Sequence, residues 1–180
     1  LTTLSLLEKE TAEAYKLRAF AKRNAKVPYS KGIIEDLTGV LNKNPQDSQS
    51  LLLRAYLLSN LVSVNFDKNS LALDDYDKVI ALDGEEKSLA YMNRGIFRVW
   101  VLKDLDGFMD INTAIELDPK NRHFYLARGY LYRNSWLSKD LASNEKAILD
   151  FETALKLKYE NQISNFNFKG WLGIFSKNRK

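Results

Sequence analysis

The sequence contains no cysteine, one histidine (His123), three prolines and eight glycines in 180 residues. Without cysteine there is no disulfide framework, thiolate metal site or cysteine nucleophile. One histidine excludes a multi-histidine metal site and leaves a single candidate for any histidine-based triad. No apolar run approaches the roughly 18 residues that a membrane-spanning helix needs. Phosphate-cradling glycine loops are missing, as is any nucleophile with a base at motif spacing. The chain is therefore expected to have no catalytic residues, no metal site and no cofactor.

What is present is a globular composition, with 45% hydrophobic and 28% charged residues, which argues against disorder. The net charge of +4 is concentrated at one end. Residues 161–180 hold Lys169, Lys177, Arg179 and Lys180 and no acid, so the preceding 160 residues are neutral with 23 charges of each sign. A neutral body without a basic stripe disfavours nucleic acid as a partner. Because the chain begins at Leu1 rather than Met, its natural start is expected to have been removed. The compartment then stays open: cytoplasmic, or periplasmic or exported if a signal peptide preceded Leu1.

Apolar residues recur at helical spacing, and the helical segments repeat. Tyr15, Leu51, Tyr91 and Tyr125 are each followed three residues on by Arg18, Arg54, Arg94 and Arg128, and then by Ala19, Ala55, Gly95 and Gly129. A second pattern follows in each unit: Asp36-Leu37, Asp75-Tyr76, Asp110-Ile111 and Asp150-Phe151, with Val40, Val79, Ala114 and Ala154 three residues later. The third unit closes on Glu116-Leu117-Asp118-Pro119; Pro45 and Gly84 stand at the matching place in the first two.

These motifs resemble the tetratricopeptide repeat, in a variant pairing Arg-Gly on the first helix with Asp-aromatic on the second. The resemblance covers roughly residues 12–160. It implies an all-α, right-handed solenoid of four helix pairs (about 5–46, 47–85, 86–120 and 121–160), followed by a capping helix and basic tail over 161–180. It also implies the family's usual role, holding a segment of another protein in a concave groove lined by the first helices. The clamp with which some members grip acidic chaperone C-termini is not matched: Lys16 fits it, but Phe20, Leu53 and Ala127 do not.

Elementary packing leads to a similar picture. The small residues at Ala19, Ala55, Gly95 and Gly129, with Ala72, Gly107 and Ala147 opposite, permit close helix approach, while Leu37, Tyr76, Ile111 and Phe151 fill the core. One pair cannot cover its own apolar face, so pairs must stack. The interval from the second-helix core residue to the next small residue is nearly constant, at 18 or 19 residues. Length variation is confined to the turn within each pair, around 27–32, 64–70 and 135–144, the last containing Trp136. Ser5 and Glu8 form a capping box; Asn144-Glu145 and Asp118-Pro119 read as helix start and stop signals.

Each arginine shares a unit with one aspartate: Arg18 with Asp36, Arg54 with Asp75, Arg94 with Asp110, Arg128 with Asp150. The four arginines could form a phosphate-binding array, but a bidentate ion pair clamping the two helices is the expectation. The stripe two residues either side of each arginine would line the groove: Lys16, Phe20 and Asn24; Leu52, Tyr56 and Asn60; Met92, Ile96 and Trp100; Leu126, Tyr130 and Asn134. Glu13, Arg23, Leu89, His123 and Arg133 border it. An exposed apolar patch of this kind marks a binding surface, and the asparagines serve either a peptide backbone or helix capping.

The expected partner is thus another protein or peptide segment. Beyond Asn161, Ile163, Phe166, Phe168, Trp171, Leu172, Ile174 and Phe175 alternate with the tail lysines. Besides capping, this tail allows a homo-oligomer contact or contact with an anionic membrane. Self-assembly or membrane attachment through residues 161–180 is the alternative function.

Overall fold

The computed structural model describes residues 15–16, 31–60, 66–134 and 141–157. Among the described residues there are seven α-helices, one π-helical turn and no strand. The helices are α1 (Lys31–Lys43), α2 (Ser48–Asn60), α3 (Phe66–Leu82), α4 (Lys87–Phe97), α5 (Gly107–Leu117), α6 (Arg122–Asn134) and α7 (Leu141–Lys156), with the π-turn Arg98–Leu102 extending α4. The chain forms two compact units, Leu1–Leu117 and Asp118–Lys180.

Each helix buries a stripe set by its sequence. In α1 it is Ile33, Leu37, Val40 and Leu41; in α3, Ala72, Asp75, Tyr76 and Val79; in α5, Gly107, Asp110, Ile111 and Ala114. These are spacings of i, i+3 or i+4, and i+7, one face of a helix. A fully buried Leu, Ile or Val contributes about 1.5–3 kcal/mol. In the first unit α2 packs on α1, α3 and α4, and α4 on α5; in the second, α6 packs on α7. All residues of α2 from Ser50 to Leu58 are buried, so this helix has no solvent face over that span.

The second helix of one pair meets the first helix of the next through turns of equal length. Four residues (44–47) separate α1 from α2, and four (83–86) separate α3 from α4. In the first, Asp47 Oδ1 accepts the Ser50 amide at 2.8 Å, an N-cap on α2. In the second, Asp83 adopts a left-handed backbone (φ 54°) and its carboxylate accepts Lys87 Nζ at 2.7 Å. Ser48 at the start of α2 donates to Glu86 Oε2 at 2.9 Å, tying the two turns together.

Two glycines set the spacing of α4 and α5. A methyl at Gly95 would sit 2.5 Å from the carbonyl oxygen of Gly107, and one at Gly107 would collide with the carbonyl oxygen of Gly95. Backbone therefore touches backbone, a separation that no side chain permits. At Gly129 the obstacle is the Phe151 ring, 2.8 Å away.

One expectation changes. Asn144 does not start a helix: α7 begins at Leu141, so Asn144 lies inside its first turn, exposed, where a weak helix former costs little. The turn within the third unit carries a feature that the sequence pattern does not show. Its first helix widens into the π-turn, Lys103 takes the left-handed conformation (φ 58°), and the Asp104 amide bonds back to the Arg98 carbonyl at 2.9 Å.

Candidate functional site

Three guanidinium–carboxylate pairs recur at the same register. Arg54 Nε and Nη2 donate to Asp75 at 2.7 and 2.8 Å; Arg94 to Asp110 at 2.9 and 2.6 Å; Arg128 to Asp150 at 2.9 and 2.7 Å. All are bidentate, joining the first helix of a pair to its second, and all three carboxylates are buried. Asp36 is buried in α1, while Arg18 lies outside the described residues. In two pairs a tyrosine one turn earlier lies under the guanidinium: Tyr91 at 5.3 Å from Arg94 and Tyr125 at 5.9 Å from Arg128. Arginines so occupied are not available as a phosphate array.

The third nitrogen of the fork was not foreseen from sequence. Arg54 Nη1 donates to Thr38 Oγ1 at 3.0 Å, and Arg94 Nη1 donates to Asp77 Oδ1. Thr38 stands two residues after Asp36, and Asp77 two after Asp75. The acceptor therefore occupies one repeat position on the preceding second helix, a signal present in the sequence as an oxygen-bearing side chain at Asp+2.

Around the π-turn, Arg98 gathers two further carboxylates and also reaches Asp110. Its Nε donates to Asp104 Oδ2 at 2.7 Å, Nη1 to Asp110 Oδ2 at 3.4 Å, and Nη2 lies 3.5 Å from Asp106. What burial there is opposes ionisation of Asp104, but bonds from Arg98 and from the Asp106 amide hold its carboxyl below the usual range. Asp110 consequently serves both Arg94 and Arg98.

The expected groove stripe divides into groups. Leu52, Tyr56, Met92 and Ile96 are buried, which corrects the expectation of an exposed apolar floor in the first unit. The physical reason is that α2 is enclosed on all sides and α4 packs against α2, α3 and α5, so these side chains belong to the core. Asn60 donates to the Tyr56 carbonyl at 2.6 Å, ending α2. Lys16 gives its ammonium to Asp47 Oδ2 at 2.9 Å, so it is already committed to a carboxylate. Burial works against the Asp47 charge, but the Lys16 bond and the Ser50 amide outweigh it and lower its pKa.

Other stripe residues keep accessible surface. Trp100 is half-buried in the π-turn, with Lys103 Nζ 5.5 Å from its ring centroid and bonded to its carbonyl at 2.9 Å. In the second unit Leu126 and Tyr130 are half-buried one turn apart on α6, and Tyr130 meets Phe151 edge-on at 5.2 Å. Of the bordering residues, Leu89 and His123 are half-buried and Arg133 is exposed. Phe20, Asn24, Glu13, Arg23 and the Asn134 side chain lie outside the described residues, as does the 161–180 segment.

No group of three metal-ligating side chains occurs among the described residues, and none of the described helices is long and apolar enough to cross a membrane. No family model matches the chain, and no curated protein matches it.

Proposed function

We propose that this chain is a right-handed solenoid of four tetratricopeptide-type helix pairs that holds a segment of another protein and acts without catalysis. The observation that carries the reading is the recurrence of one bidentate Arg–Asp pair at one register in three successive helix pairs. Repetition at the level of atomic contacts is what a stack of equivalent units requires.

The binding surface follows from the side chains left accessible on the first helices. Within the second compact unit these are Leu126 and Tyr130, bordered by His123 and Arg133. An aromatic anchor with adjacent aliphatic area and basic rim groups suits an apolar segment carrying an acidic residue. Affinity purification from the native cell, read by quantitative mass spectrometry, tests this with wild type beside Leu126→Glu and Tyr130→Ala. The expected result is a discrete set of proteins lost from both variants while their far-ultraviolet spectra are unchanged. Capture of the same set in the same amounts overturns the reading.

A further inference from the structure

α1 and α3 each give the same stripe to the helix pair that follows. On α1 it is Ile34, Thr38 and Leu41; on α3 it is Leu73, Asp77 and Ile80, spaced i, i+4 and i+7. The middle oxygen accepts from the arginine of the following helix, Thr38 from Arg54 and Asp77 from Arg94. The outer apolar members are buried or half-buried, and Ile34 and Leu73 share one cluster with Leu58 of α2 and Phe97 of α4. α7 carries this stripe at the same distance from its aspartate: Ile148, Glu152 and Leu155, with Glu152 two residues after Asp150. Here Glu152 is exposed, and Ile148 and Leu155 are 57% and 81% exposed. Among the described residues, the stripe on α7 is open.

The contacts of α1 and α3 define what fits such a stripe: an antiparallel helix with an arginine opposite the middle oxygen. The first repeat segment of the chain has that pattern. Arg18 stands where Arg54 stands in α2, and Arg54 lies on Thr38 with Leu58 near Ile34. The same register would set Arg18 on Glu152, the stem of Lys22 on Ile148, and Tyr15 on Leu155. Charge agrees along the length. In antiparallel order Lys22 and Lys26 come beside Glu145, and Glu13 beside Lys156, so acids meet bases at both ends. The other base on α7, Lys146, already lies over the Tyr132 ring of its own pair at 5.7 Å. A segment with bases only, such as residues 161–180, would leave Lys156 facing like charge.

We propose that copies of this chain join head to tail, the first repeat segment of one copy lying on α7 of the next, with Arg18 donating to Glu152. The contact is heterologous, so each assembly keeps one free end of each kind and grows unless it closes into a ring. Partner holding through Leu126 and Tyr130 is not required for it. Self-association then runs through the ends of the repeat array and not through residues 161–180.

Sedimentation of the full chain from about 1 to about 100 µM should show mass rising with concentration. Glu152→Arg and Leu155→Asp, both at exposed positions, should each raise the dissociation constant at least about tenfold with unchanged helical spectra. Because the chain has no cysteine, introduced thiols report the contact alone. Under mild oxidation, an equal mixture of Lys22→Cys and Ile148→Cys chains should form a disulfide-linked dimer, and either chain alone at least about fivefold less. Three results overturn the proposal. One is a monomer throughout the concentration range, as a stripe covered within the molecule would give. Another is association that survives both stripe substitutions, as contact through residues 161–180 would give. The third is disulfide no more abundant in the mixture than in Ile148→Cys chains alone.

Discussion

Arg54 of α2 holds Thr38 of α1 with one nitrogen and Asp75 of α3 with the other two, so a single side chain spans two helix pairs. Arg94 repeats the arrangement between Asp77 of α3 and Asp110 of α5. The carboxylates differ in depth: the Asp75 side chain, held by Arg54, is fully buried, whereas that of Asp77, held by Arg94, is 59% exposed.

That difference in depth separates two substitutions. Asp75→Ala leaves a buried guanidinium without its carboxylate and should cost about 3–5 kcal/mol. Asp77→Asn disturbs an ion pair open to water and should cost less than about 1 kcal/mol. Urea midpoints of the two variants check the ranking. Arg54→Met combined with Asp75→Leu should recover most of the loss, since no unpaired charge remains.

Gly95→Ala should destabilise the chain by about 1–3 kcal/mol despite the better helix propensity of alanine, because the added methyl meets backbone that cannot step aside. Gly129→Ala meets a phenyl ring that can rotate and should cost less. Thermal unfolding of the pair decides whether backbone contact, rather than glycine itself, sets the helix spacing.

The groove stripe offers a test of core against surface. Tyr56→Ala removes a buried aromatic ring and should cost about 3–5 kcal/mol. Leu126→Ala, at a half-buried position on α6, should cost distinctly less. Equal losses in denaturant would mean that both side chains belong to the core.

Much of this architecture is legible in the sequence, and the residues show why. Arg54 and Asp75 are 21 positions apart, but both recur in every unit, and a charged pair repeated that often has to be used. The constancy of the turns before α2 and α4 follows from the constant interval between core residues. Burial was not legible. Leu52, Tyr56, Met92 and Ile96 are the residue types that either a core or a binding surface would use, and only packing distinguishes them. The π-turn was hidden too, because Arg98–Leu102 reads as ordinary helix; its register is fixed by carboxylates that arrive later, at Asp104, Asp106 and Asp110.

The single imidazole allows a pH prediction. Burial, with a smaller effect of Arg122, lowers the pKa of His123 below its ordinary value of 6.5. The folded chain then binds fewer protons than the unfolded chain below that value, so stability should fall as pH drops through 6.5 towards the folded-state pKa. His123→Gln should flatten this step. A proton-NMR titration of the one imidazole gives the folded pKa directly, and a value at or above 6.5 would remove the basis for the prediction.

Asp110 has a further consequence, for sequence drift. Asp75 and Arg54 answer mainly to each other, so a neutral pair can replace them in two steps. Asp110 answers to Arg94 and Arg98 together, and Arg98 is in turn shared with Asp104 and Asp106. No single companion change can compensate its loss. Among relatives of this chain, the third aspartate should therefore be the one that varies least.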